Sequence, residues 1–218
     1  MNAQNQKELG SLSKELKFTA EQTERFSVYI NLIEEWNQRT NLISKNDMAV
    51  IVSKHIRESL EILFLDIIKE KQSIIDLGTG AGFPGLPLAI LNTNLEMTLV
   101  ESRKMKTLFL QDVIDTLKLD HVKVICQRIE NIKSNELMKK VDVVLARAVT
   151  QLKYLWLWSE PFLKSEGLLV AYKGGNIETE TNDLLENYKH LQLKIYPFQW
   201  SNTQDEKKIV VICRQELS

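Results

Sequence analysis

Apolar residues follow a helical period up to about residue 70 and a strand period after it. Phe26, Tyr29, Ile30, Ile33 and Trp36 recur at three- and four-residue spacing, which places their side chains on one face of a helix. Thr19 and Gln22 stand ahead of them as a capping box, so the pattern predicts an amphipathic helix from Thr19 to about Trp36. Met48, Ile51, Val52, Ile56, Leu60 and Leu63 form a second such pattern, with Asn46 or Asp47 available as its cap. The first seventy residues are thus expected to be helical.

At Ser73 the period changes. Ile74-Ile75-Asp76-Leu77 is a short apolar run that ends in a glycine-rich turn, and Pro84 to Leu91 resumes helical spacing. The alternation then repeats, with strands expected at Met97 to Val100, Val122 to Cys126, Val141 to Leu145 and Gly167 to Tyr172. Helical stretches separate them at Lys104 to Leu117, Glu136 to Lys140 and Leu152 to Leu163. This β-α-β-α order predicts an α/β fold, a doubly wound parallel sheet with helices on both faces. After a helix near Ile177 to Tyr188, Leu193 to Phe198 and Lys208 to Cys213 are joined by a polar turn, Asn202 to Glu206. No helix lies between these last two strands, so they are expected to be antiparallel. The division expected is a helical segment over 1–72, packed on a sheet domain over 73–218.

Composition narrows the class without naming a function. The 218 residues are 44% hydrophobic and 26% charged, with 8 Gly and 4 Pro, which excludes collagen-like, low-complexity and disordered chains. Cys126 and Cys213 have no second Cys or His at ligand spacing, so neither a disulfide framework nor a metal site is expected, and both cysteines read as buried strand residues. The start, Met1 to Glu8, lacks the features of a signal peptide, and no apolar run reaches the roughly eighteen residues of a membrane span. A cytoplasmic protein without a membrane partner is the expectation. The formal net charge of −1 gives no overall steering toward nucleic acid, so RNA contact would need a local basic patch.

Four of the eight glycines, Gly78, Gly80, Gly82 and Gly85, fall in Asp76-Leu77-Gly78-Thr79-Gly80-Ala81-Gly82-Phe83-Pro84-Gly85. The cluster sits at the first strand-helix junction, where a doubly wound sheet binds nucleoside ligands close to the backbone. Gly80-x-Gly82-x-x-Gly85 satisfies the dinucleotide fingerprint, and Glu101 ends the second strand where a carboxylate holds ribose hydroxyls. Asp76 tilts the choice. A carboxylate beside the loop opposes a pyrophosphate, whereas S-adenosyl-L-methionine has no phosphate and carries cationic ammonium and sulfonium groups. A P-loop is excluded, since no Gly-Lys-Ser or Gly-Lys-Thr follows. At the end of the third strand, Ile129 is placed to cover an adenine face and Glu130 to read its amino edge.

Several segments together resemble one family: the loop through Phe83-Pro84-Gly85, Lys54-His55-Ile56-Arg57-Glu58-Ser59 upstream, Ala146-Arg147-Ala148 after the fourth strand and Lys173-Gly174 after the fifth. The chain resembles the bacterial 16S ribosomal RNA guanine-N7 methyltransferases of the glucose-inhibited division protein B type, from about Phe26 to Cys213. The resemblance implies a class I, Rossmann-like methyltransferase fold of seven strands, S-adenosyl-L-methionine as donor, and a guanosine in the decoding region of the small ribosomal subunit as acceptor. It assigns Gly78 and Phe83 to the cofactor loop, Glu101, Ser102 and Arg103 to the ribose end, Ile129 and Glu130 to adenine, and Arg147 to the site. It also places His55 and Arg57 beside the pocket as RNA contacts. DNA is not among the implied partners.

Guanine N7 offers an unprotonated lone pair, so attack on a sulfonium methyl needs alignment and no general base. The residues agree. The fourth strand ends in Ala146-Arg147-Ala148-Val149, not the Asn-Pro-Pro-Tyr type that holds an exocyclic amine, and no Pro-Cys supplies a nucleophile for pyrimidine methylation. Arg147 is open to several partners: the donor's carboxylate, an RNA phosphate, guanine O6, or a structural acid. Lys173 is open to a phosphate contact or to plain exposure. In the expected fold, Arg57, Arg103, Lys104, Lys106, Arg147 and Lys173 ring the strand ends as a basic patch. The stripe Tyr154-Leu155-Trp156-Leu157-Trp158 is expected to pack a helix rather than stack bases. An NAD-dependent oxidoreductase is the alternative, though its Tyr-x-x-x-Lys pair is missing: Trp158 follows Tyr154 and Asn176 follows Tyr172.

Overall fold

A computed structural model describes residues 1–132, 139–200 and 206–215. The helices are α1 (Ala3–Glu15), α2 (Ala20–Asn37), α3 (Lys45–Ala49), α4 (Arg57–Ser59), α5 (Gly85–Leu91), α6 (Lys104–Leu117), α7 (Leu152–Ser159) and α8 (Glu178–Asn187). The strands are β1 (Ser73–Leu77), β2 (Glu96–Glu101), β3 (Val122–Cys126), β4 (Val141–Arg147), β5 (Leu163–Lys173), β6 (Leu191–Pro197) and β7 (Lys208–Arg214). They form one sheet in the order β3-β2-β1-β4-β5-β7-β6. β1 to β5 run parallel, and β7 pairs antiparallel with both β5 and β6.

The seven expected strands all form, because each apolar run is short and bounded by turn residues. The helix expected at Glu136 to Lys140 falls mainly outside the described residues, and Lys139 and Lys140 are irregular. The turn expected at Asn202 to Glu206 also lies outside them, except for Glu206.

Alternation along the strands divides the interior between the two faces of the sheet. Ile74, Leu99, Val143 and Leu145 pack into a core shared with Leu12 of α1, Phe26, Ile30 and Ile33 of α2, Leu86 of α5 and Phe109 of α6. Ile75, Leu77, Val144 and Ala146 pack on the other face with Leu155 and Trp156 of α7 and Leu184 of α8. In the aromatic stripe of α7, Leu155 and Trp156 are therefore core, while Tyr154 and Leu157 are exposed.

Two expectations are corrected. The pattern from Met48 to Leu63 is not one regular helix. Ser44, not Asn46 or Asp47, caps α3, its Oγ accepting from Asp47 N at 3.1 Å, and a π-helical turn, Val52–Ile56, leads into α4. A widened turn keeps the apolar spacing nearly intact while rotating later side chains, so periodicity does not register it. The cysteines are not buried: Cys126 is exposed at the end of the edge strand β3, and Cys213 is half-buried on β7.

Strand order positions the site. The chain steps outward from β1 to β2 and β3, then returns to β4 on the other side of β1. The carboxyl ends of β1 and β4 therefore border the crevice where a doubly wound sheet takes its ligand. In that register Leu77 pairs with Ala146, which brings the glycine loop beside Arg147.

Candidate active site

The loop is anchored from beneath. Asp76 Oδ2 accepts from Thr79 Oγ1 at 2.6 Å and from Gly85 N at 2.8 Å. The carboxylate is 0% exposed, and its Oδ1 has no hydrogen-bond partner among the described residues. Burial pushes its pKa up to about 7, against the opposing pull of the Thr79 and Gly85 bonds and of Arg147. Asp76 thus ties the loop down from below, and its charge is not presented at the surface. Gly78 stands at φ +65°, and a Cβ there would lie 2.9 Å from Val149 Cγ2. Both facts require glycine, and they leave the backbone bare where a nucleoside ligand would approach. At Gly80 the nearest outside group is Lys106, whose Nζ would be 3.8 Å from an added Cβ.

At the end of β2, Glu101 is 7% exposed, and its Oε1 accepts from Arg103 N at 2.8 Å. The backbone holds this carboxylate in place next to the loop, since Thr79 N donates to Val100 O at 3.1 Å. Ser102 and Arg103 are exposed where β2 passes into α6. Across the β3 end, Ile129 is buried and Glu130 is exposed, on a short 3-10 turn. A buried isoleucine and an exposed carboxylate thus follow the loop and Glu101 along the strand ends.

Arg147, at the end of β4, is held in a clasp that the sequence did not reveal. Its guanidinium donates to His55 Nδ1 and, at 3.3 Å, to His55 O. It lies 3.8 Å from Glu58 Oε2 and 5.6 Å from the centre of the Phe83 ring. Phe83 stacks on His55 with ring centres 5.0 Å apart and packs on Tyr29, whose hydroxyl donates to Ala81 O at 2.5 Å. His55 is 9% exposed. Burial, followed by the guanidinium beside it, lowers its pKa to about 3, so the ring is neutral at neutral pH. With Nδ1 accepting from Arg147, the proton sits on Nε2, 3.7 Å from Asp47 Oδ2. His55 therefore orients Arg147 and has no free lone pair to act as a base.

A cavity of about 400 Å³ opens beside the clasp at the ends of β4 and β5, lined among others by Glu58, Arg147, Val149, Tyr172, Lys173 and Lys207. It borders the glycine loop and does not cover it. Lys173 Nζ donates to Glu180 Oε2 at 2.7 Å and to Thr150 O at 2.8 Å. Arg57 pairs with Glu15 at 2.9 Å and lies 4.6 Å above the Trp200 ring. The structure thus gathers Gly78, Gly80, Glu101, Ile129 and Arg147 along one crevice, with His55 and Lys173 beside it. Glu58, Tyr29 and Asp47 had no motif of their own, and only Glu58's place in the His55 to Ser59 stretch hinted at a role.

A seven-stranded sheet with a glycine loop at its switch point defines the Rossmann-like methyltransferase class, and solved structures share that fold. The putative rRNA methylase from Clostridium thermocellum superposes with TM-score 0.53 at 16% identity, over 74% of this chain and 94% of that one. Mitomycin 7-O-methyltransferase gives 0.59 at 16% identity, over 77% and 55%. The family model for rRNA small subunit methyltransferase G matches residues 22–210, and the chain belongs to that family. It is 37% identical over 169 residues to ribosomal RNA small subunit methyltransferase G of Clostridium botulinum (strain Eklund 17B / Type B), covering 77% of this chain and 71% of that protein. With its namesake from Thermoanaerobacter pseudethanolicus (strain ATCC 33223 / 39E), the identity is 38% over 79% and 72%. Membership of a methyltransferase family runs against the oxidoreductase alternative.

Proposed function

We propose that this chain transfers a methyl group from S-adenosyl-L-methionine to N7 of a guanosine in 16S rRNA, in the decoding region of the small ribosomal subunit. The observation that carries the chemistry is the clasped Arg147 between the donor loop and the cavity, where, among the described residues, the side chains that clasp it offer no available base. His55 is neutral with Nδ1 engaged, and Glu58 is taken by Arg147 and Lys207. Such a site suits an acceptor whose lone pair is already free.

The residues present fit the donor. Gly78 and Gly80 leave the backbone open, Phe83 braces the loop, Asp76 anchors it, and Glu101 would bind the ribose hydroxyls, with Ser102 and Arg103 at its edge. Ile129 would cover the adenine and Glu130 meet its amino edge. When bound, the donor supplies an electrophilic sulfonium methyl. Arg147 holds the guanine edge, through O6, or a donor carboxylate, and its orientation comes from His55 and Glu58. Lys173 lines the cavity that would receive the target base, and Arg57 lies beside Glu58 at its rim. The partner is then the small subunit or its rRNA, which places the protein in the cytoplasm.

The test incubates the protein with isotope-labelled S-adenosyl-L-methionine and small subunits from a strain lacking this gene, then identifies the labelled nucleoside. Label in 7-methylguanosine is the expected result. Label in another nucleoside refutes the acceptor and atom while keeping the donor.

A further inference from the structure

The six basic residues around the strand ends are not equivalent, and the difference points to where RNA lands. Arg57 is matched by Glu15, Arg147 by Glu58 and His55, and Lys173 by Glu180. To bind a phosphate, each would have to give up a partner already in place. Arg103, Lys104 and Lys106 differ: among the described residues, none of their head groups takes part in an ion pair or side-chain hydrogen bond.

These three occupy the cap position and the first turn of α6, where the helix macrodipole is positive and cations are disfavoured. No acidic residue offsets them in that turn, and no side chain caps the helix. The Glu101 carboxylate stands at this helix end and accepts from Arg103 N at 2.8 Å, which sets one acid against three cations. A polyanion would supply the further negative charge that the turn lacks. Met105 and Leu108 lie one turn apart on the same stretch, 47% and 46% exposed, and give the basic turn an apolar flank. Lys106 ties the turn to the chemistry, because its Nζ lies against the donor loop at Gly80.

We propose that the amino-terminal turn of α6, through Arg103, Lys104 and Lys106 with Met105 and Leu108 beside them, docks the RNA backbone next to the target nucleotide. This rests on the function proposed above and assigns its RNA-docking face to the β2–α6 side of the crevice. On the β4–β5 side, Lys173 remains with Glu180 and Thr150, and Arg147 is left to the target base or the donor. Phosphate contacts fix register and orientation without reading sequence, so this face sets where the duplex or loop sits and leaves base choice to the cavity.

The experiment compares two double variants of equal charge change. K104Q/K106Q removes the cations of the proposed face that lie outside the donor's ribose edge. K71Q/K164Q removes two cations at the amino ends of β1 and β5, the opposite end of the sheet. Each is measured for affinity to small subunits over a range of salt, and for donor affinity by calorimetry. The α6 variant should bind subunits at least tenfold more weakly, and its slope of log affinity against log salt should fall by about 1.5, as expected for two lost phosphate contacts. Its donor affinity should stay within a few fold, and the control should match the unmodified chain. Equal losses in both variants would show a diffuse charge effect and overturn the proposal. A loss of donor affinity in the α6 variant alone would assign Lys106 to the donor, which also overturns it. If the unmodified chain methylates subunits while the α6 variant binds them unchanged, the docking face is wrong and the function stands. If the unmodified chain neither binds nor methylates them, the function fails and the docking face fails with it.

Discussion

Asp76 and His55 are both buried titratable groups, yet they pull stability in opposite directions with pH. Asp76 has its pKa raised to about 7. The folded state therefore keeps a proton that the unfolded chain loses near pH 4, and this group's contribution declines as pH rises from about 4 to about 7. His55, lowered to about 3, contributes fully above about 6.5 and loses that contribution as pH falls toward 3. Asp76→Asn keeps an acceptor for Gly85 N and should remove only the first trend. Denaturation midpoints between pH 5 and 8 should then rise for the variant relative to the native chain as pH increases, and parallel curves would contradict the assignment. Gly78→Asp must adopt a left-handed backbone and press on Val149, so calorimetry should show donor binding lost. Arg147→Ala should reduce methyl transfer by about a hundredfold. It should also let the pKa of His55 climb, readable in the ring resonances by NMR, because a cation beside the ring is gone; an unmoved resonance would show that the guanidinium does not touch it in solution.

At the scale of elements, legibility followed from how many constraints each pattern carried. The α2 capping box is present as expected, Thr19 Oγ1 accepting from Gln22 N and Gln22 Oε1 from Thr19 N. Thr19→Ala should cost about 1 kcal/mol, visible as a lower denaturant midpoint with methyl transfer unchanged. The π turn at Val52–Ile56 escaped notice because Ile51, Val52 and Ile56 satisfy helical spacing whether or not one turn is widened. Yet that turn carries His55 and leads into Glu58 and Ser59, so the element hardest to read from sequence is the one that builds the Arg147 clasp. The exposure of Cys126 is hidden from the sequence for a related reason. Strand period says which residues share a face, but only the strand order shows that β3 is an edge with one neighbour.

For the whole molecule, the sequence foretold the alternation of strands and helices, the parallel sheet and the antiparallel closing pair, since βαβ order and short polar turns leave few topologies. It pointed to the glycine loop and to Glu101 because nucleoside binding at a switch point demands those residue types in that order. It gave no sign of which cations are internally matched, because the acids involved, Glu15, Glu58 and Glu180, come from three separate elements. The insertion of β7 between β5 and β6 carries a consequence for damaged copies of the chain. β6 reaches the sheet only through β7, so a message cut short after Lys207 forfeits two strands rather than one. Such a product would bare the edge of β5 along Leu169 to Lys173, an apolar run free to pair with another chain. Chains truncated there should sediment as aggregates while full chains stay dispersed, which makes β7 the strand on which solubility depends.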